Sequence, residues 1–94
     1  MSSELKGKVA LVTGASRGLG EGAARALAAA GASVMLVARD GALAGRVAAD
    51  IVKAGGRAEA TACDVADYGA VDKVVARTRS ALGGLDILVN NAGV

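Results

Sequence analysis

Thr13-Gly14-Ala15-Ser16-Arg17-Gly18-Leu19-Gly20 follows the apolar run Val9-Ala10-Leu11-Val12 and leads into an alanine-rich segment with apolar residues at helical spacing. The order is strand, glycine turn, helix. Glycine has no Cβ, so it permits positive φ and lets backbone approach a ligand closely. A helix beginning at such a turn directs its first N–H groups and the positive end of its dipole into the loop. A diphosphate fits that place, with the Ser16 hydroxyl as a further donor. Gly14, Gly18 and Gly20 are spaced G-x-x-x-G-x-G, which departs from the commoner dinucleotide fingerprint G-x-G-x-x-G. A tight turn without a ligand would use the same glycines, so the neighbouring stretches have to decide.

Outward from the turn, strand and helix alternate. Residues 8–13 read as a buried strand. Residues 19–30 read as a helix with Leu19, Ala23, Leu27 and Ala30 on one face, closed by Gly31 as a C-cap. Residues 33–38 form a second short apolar strand. Asp40 can cap a second helix carrying Leu43, Val47 and Ile51, stopped by Gly55-Gly56. Residues 57–63 make a weaker strand, diluted by Glu59 and alanines. Asp67 can cap a third helix bearing Val71, Val74, Val75, Thr78 and Leu82, ended by Gly83-Gly84. Residues 85–90 are the fourth strand. Alternation of this kind predicts an α/β fold with a parallel sheet and helices on its faces. With right-handed crossovers, the simplest arrangement is the first half of a doubly wound, Rossmann-type sheet in strand order 3-2-1-4. Ligands bind such sheets at the carboxyl ends of the strands. Thr13-Gly14, Arg39, Asp64-Val65 and residues 90–93 all fall at such ends.

Composition narrows the classes. The chain has 94 residues, enough for one small domain. It is 53% hydrophobic with a single aromatic, Tyr68, so the core must be built from Val, Leu, Ile and Ala. Net charge is +2 and the basic residues are scattered, which leaves no stripe for nucleic acid. One cysteine, Cys63, precludes an internal disulfide, and the lack of any His argues against a conventional zinc site. Cys63 reads as a buried thiol rather than a reactive one. There is no signal-peptide pattern and no apolar run long enough for a membrane span, so a soluble cytoplasmic protein is the default expectation.

The glycine turn, together with Asn90-Asn91-Ala92-Gly93 after the strand Leu85-Asp86-Ile87-Leu88-Val89, resembles the TGxxxGxG and NNAG motifs of the classical short-chain dehydrogenases/reductases. The likeness covers essentially the whole chain. The opening Leu5-Lys6-Gly7-Lys8-Val9-Ala10-Leu11-Val12 also resembles bacterial 3-oxoacyl-carrier-protein reductases and gluconate-type ketoreductases. The resemblance implies a cofactor site made of Gly14, Ser16, Arg17, Gly18, Leu19, Gly20, Arg39, Asp64, Val65, Asn91, Ala92 and Gly93. Asp64 would accept from the adenine amino group and the Val65 backbone would contact the ring. Small Ala92 and Gly93 would let the backbone lie against the ribose. A 2′-phosphate calls for a cation where a free 2′-OH is usually met by an acid. Here Ala38 stands at the family's acidic position, and Arg39 and Arg17 match the basic positions of NADP-preferring members. A guanidinium suits a phosphate through its planar fork of donors. NADP(H) is therefore expected ahead of NAD(H), unless both arginines are merely solvated.

The family's catalytic Ser and Tyr-x-x-x-Lys find no match. Asp72 stands four residues after Tyr68, and Lys73 five. Residues 1–94 are thus expected to be the dinucleotide-binding half of the fold, lacking the carboxyl-terminal catalytic half. No residue is assigned as catalytic. The expected function is the NADP(H)-binding part of an oxidoreductase that moves hydride between nicotinamide and a carbonyl or alcohol substrate. A non-catalytic module that holds a nucleotide or a partner chain is the alternative. Another doubly wound nucleotide-binding family, such as a methyltransferase, is weaker, because those usually place an acid near Ala38-Arg39. No nucleic-acid or membrane partner is expected. A homo-oligomer, or self-association through the exposed fourth strand, is.

Overall fold

The computed structural model describes residues 4–64 and 68–91. Its elements are β1 (Val9–Thr13), α1 (Gly18–Ala29), β2 (Ser33–Ala38), α2 (Gly41–Lys53), β3 (Arg57–Ala62), α3 (Tyr68–Leu82) and β4 (Ile87–Asn90). The strands form one parallel sheet in the order β3-β2-β1-β4. This is the doubly wound arrangement expected from the sequence.

Continuous apolar runs make β1 and β2 the centre of the sheet, where both faces are covered. Side chains alternate between the faces. Ala10, Val12, Val34 and Leu36 pack with Ala24 of α1 and with Ala44, Val47 and Ile51 of α2. Val9, Leu11, Met35 and Val37 pack with Val74 and Leu82 of α3 on the other side. Each fully buried aliphatic side chain of this kind contributes roughly 1.5–3 kcal/mol. Thr78 is also fully buried on the α3 side, and its hydroxyl donates to Val74 O at 2.7 Å, which satisfies it. The diluted strand β3 lies at one edge and is buried only in part.

The Asp40 cap is present: its carboxylate accepts from the Ala42 and Leu43 N–H groups, both at 3.1 Å. The Asp67 cap lies outside the described residues. Strand limits are shorter than expected. Lys8, Cys63, Leu85 and Asp86 fall outside the strands. Asp86 still extends the ladder, because its carboxylate accepts from Val9 N–H at 2.9 Å and its own N–H donates to Val9 O at 2.8 Å.

The larger correction concerns Leu19. It was expected on the apolar face of α1 and is 78% exposed. The buried pair on this helix is Gly20 and Ala24. Gly20 must sit against the glycine turn, and successive helical residues are set about 100° apart, so Leu19 turns outward. Arg25 on the same helix joins Glu21 at 2.9 Å and Asp50 of α2 at 3.1 Å. Its guanidinium is held protonated beyond the ordinary arginine range, first by the Asp50 hydrogen bond and then by Glu21. Among the described residues no helix is long and apolar enough to cross a membrane.

Candidate functional site

Parallel register brings the carboxyl ends of all four strands to one edge. Thr13 pairs with Val37 and with Asn90, and Ala38 pairs with Ala62. The glycine turn, Arg39, Asp64 and Asn91 each follow one of those ends. Val65, Ala92 and Gly93 lie outside the described residues.

In the turn, Gly14 and Gly18 have φ of 63° and 61°, a region that disfavours every residue with a Cβ. Gly20 is required for a different reason. A Cβ there would collide with the Gly14 carbonyl oxygen and lie 3.1 Å from Ala15 Cα. The first turn of α1 therefore rests directly on the loop. The Ala15 N–H is used internally, donating to Val37 O at 3.1 Å. The first helical bond of α1 is Glu21 N–H to Arg17 O at 3.3 Å. Gly18, Leu19 and Gly20 precede it, and an α-helix has no carbonyl of its own for these amides. A Ser, Thr, Asp or Asn at the cap position would normally serve them. Here the cap residue is Arg17, in extended conformation, and its side chain makes no capping bond. A cation with no acceptor replaces the usual oxygen. The amides, the dipole and the guanidinium then all favour an anion at this point.

At the end of β1, the Thr13 side chain holds the end of β4. Its hydroxyl donates to Asn90 Oδ1 at 3.0 Å, with Val89 O at 3.4 Å as a poorer acceptor, and it accepts from Asn91 N–H at 3.0 Å. Thr13 is 8% exposed, while Asn90 is exposed and Asn91 half-buried, so the knot has its root in the core and its rim at the surface. Sequence reasoning missed Thr13 as the residue that ties both asparagines. The signal was a single polar side chain ending an otherwise apolar strand.

Arg39 and Asp64 are exposed at the ends of β2 and β3. The two strand ends are joined by Cys63 N–H donating to Ala38 O at 3.0 Å, so Arg39 and Asp64 leave from one hydrogen-bonded pair. Arg17 is also exposed, and Ser16 is half-buried in the turn. The start of α1 can take an anion, and Arg39 and Asp64 offer a cation and an acceptor farther along the same edge. A turn closed by backbone where a Cβ would collide, with a cation at its cap position, fits a diphosphate-bearing dinucleotide.

A family model described as short chain dehydrogenase matches residues 8–94. A fatty acyl-CoA reductase of Acinetobacter baylyi is 45% identical over 89 residues, which is 95% of this chain and 30% of that protein. A 3-oxoacyl-[acyl-carrier-protein] reductase of Synechocystis is 44% identical over 91 residues, covering 96% of this chain and 37% of its own length. Among solved structures, a metagenomic short-chain oxidoreductase in complex with NADP is 49% identical and superposes with a TM-score of 0.89, over 96% of this chain and 41% of that one. The chain thus spans about a third of the curated relatives it matches.

Proposed function

The chain belongs to the short-chain dehydrogenase family, and from that membership we propose that its residues grip the adenosine diphosphate end of NADP(H) in an oxidoreductase acting on a carbonyl or alcohol carbon. The observation that carries this reading is the arginine-capped start of α1, with a second arginine ending the neighbouring strand. When bound, the nicotinamide supplies or accepts the hydride. The chain's own residues do the rest of what can be assigned to them. The amides of residues 18–20 receive the diphosphate. Arg17 and Arg39 pair with the 2′-phosphate. Asp64 accepts from the adenine amino group. Thr13 holds Asn91 in place at the ribose side. The substrate of the whole protein is a small carbonyl or alcohol compound, and a cytoplasmic setting suits it.

Relatives support this reading in outline. One structural neighbour was solved with NADP, and the named relatives are reductases. The choice of NADP over NAD rests on the arginines. A hydrogen bond to a charged group is worth roughly 1.5–3 kcal/mol. Replacing Arg39→Asp should therefore weaken NADPH binding by about 10- to 100-fold and leave NADH less affected. Fluorescence titration with both cofactors tests this, and an equal loss for the two would contradict the 2′-phosphate role.

A further inference from the structure

We infer that Gly41 is a positioning residue: its contact with Ala62 fixes where Arg39 stands relative to the end of β3, and so sets the preference for a nucleotide bearing a 2′-phosphate. The inference rests on the cofactor reading above. Gly41 opens α2, directly after the Asp40 cap. A Cβ built on it would lie 2.9 Å from Ala62 Cβ and 3.7 Å from Ala62 Cα. Carbon atoms settle at about 3.5–4.0 Å, and an alanine methyl has no rotamer with which to retreat. Any side chain at residue 41 must therefore lift the first turn of α2 away from β3.

Conformation does not explain this glycine. Gly55, after α2, has φ of 97° and open space around it, so there glycine serves the turn. Gly41 is not among the positive-φ glycines. Glycine also lowers helix propensity. What remains is the space above Ala62.

The surroundings determine which part would move. The ends of β2 and β3 are locked together by the bond from Cys63 N–H to Ala38 O at 3.0 Å. The Asp40 carboxylate is locked to the Ala42 and Leu43 amides. Between those two fixed pieces lies only the link through Arg39 and Asp40. A displaced helix start would draw that link with it and shift Arg39, while Asp64 stayed just past the end of β3. The 2′-phosphate would lose Arg39, one of its two partners, and the adenine would keep its own. Ala62 is exposed at the strand end, as are Arg39 and Asp64, so the place between them is open to a ligand.

The test compares adenosine 2′,5′-bisphosphate with adenosine 5′-monophosphate, which differ only in the 2′-phosphate. Both are titrated calorimetrically against the wild-type chain, Gly41→Ala, Ala62→Gly and the double variant, with thermal unfolding of each. Gly41→Ala should lower the affinity ratio about five- to tenfold, as expected when a charged group is displaced by a fraction of its bond length. Ala62→Gly in the same chain should restore the ratio to within about twofold, because it removes the methyl that the new Cβ meets. Ala62→Val closes the same gap from the strand and should also lower the ratio. An unchanged ratio in folded Gly41→Ala or folded Ala62→Val, an equal loss of both ligands, or a double variant that is not restored would overturn the inference. A wild-type chain without preference for the bisphosphate would overturn the cofactor reading itself, and it would be seen before any substitution.

Discussion

The buried Thr13 hydroxyl donates to the side chain of exposed Asn90 and accepts from Asn91 N–H, each at 3.0 Å. Thr13→Val keeps the shape and removes a partner from both. Both partners can still reach water, so each lost bond costs its net worth of roughly 0.5–1.5 kcal/mol, which a urea unfolding midpoint would report. Nucleotide affinity should fall as well, because Asn91 loses its anchor. Gly20→Ala should be worse than its size suggests, since the new methyl would meet the Gly14 carbonyl and must push α1 off the turn. The glycine triplet was legible in the sequence, because its spacing is written there. The outward turn of Leu19 was not. Its direction follows from the close approach of Gly20 to Gly14, and helical periodicity alone does not carry that information.

Helices α1 and α2 start differently, and the difference separates structure from function. At α2, Asp40 accepts from two amides, so Asp40→Ala should cost about 1 kcal/mol of stability. At α1, Arg17 occupies a cap position in extended conformation with no capping bond. Arg17→Ser would supply the missing acceptor. We expect it to raise thermal stability by about 0.5–2 kcal/mol while weakening phosphate-bearing ligands. A variant both less stable and fully competent in binding would contradict the assignment. Arg25, between Glu21 and Asp50, is exposed, so its replacement should matter little and less still in salt. Its raised pKa gives a contribution present below the ordinary arginine range and lost only above it, so the pair does not shape stability near neutral pH. Helix and strand order was readable from the alternation of apolar runs and glycine stops. The start of β4 was not, because Asp86 leaves the strand while its carboxylate still serves the Val9 amide.

In the four-stranded sheet β4 forms one border, and its Leu88 is 63% exposed. An outer strand offers unpaired N–H and C=O groups to another chain. We expect the 94-residue chain to self-associate and Leu88→Lys to shift it toward monomer in light scattering. A monodisperse monomer before the substitution would count against that. Ketone reduction by these residues alone is not expected, because the sequence holds no Tyr-x-x-x-Lys. Turnover by a pure sample, abolished in Tyr68→Phe, would reverse the conclusion. The cofactor grip itself is most directly tested by calorimetric titration of NADP, NAD and 2′-phospho-ADP-ribose against this chain. The assigned residues address the adenosine diphosphate end and none addresses the nicotinamide. NADP should therefore bind about tenfold or more tighter than NAD, with 2′-phospho-ADP-ribose matching NADP. Equal binding of NAD and NADP, or a strong preference for whole NADP over 2′-phospho-ADP-ribose, would contradict it.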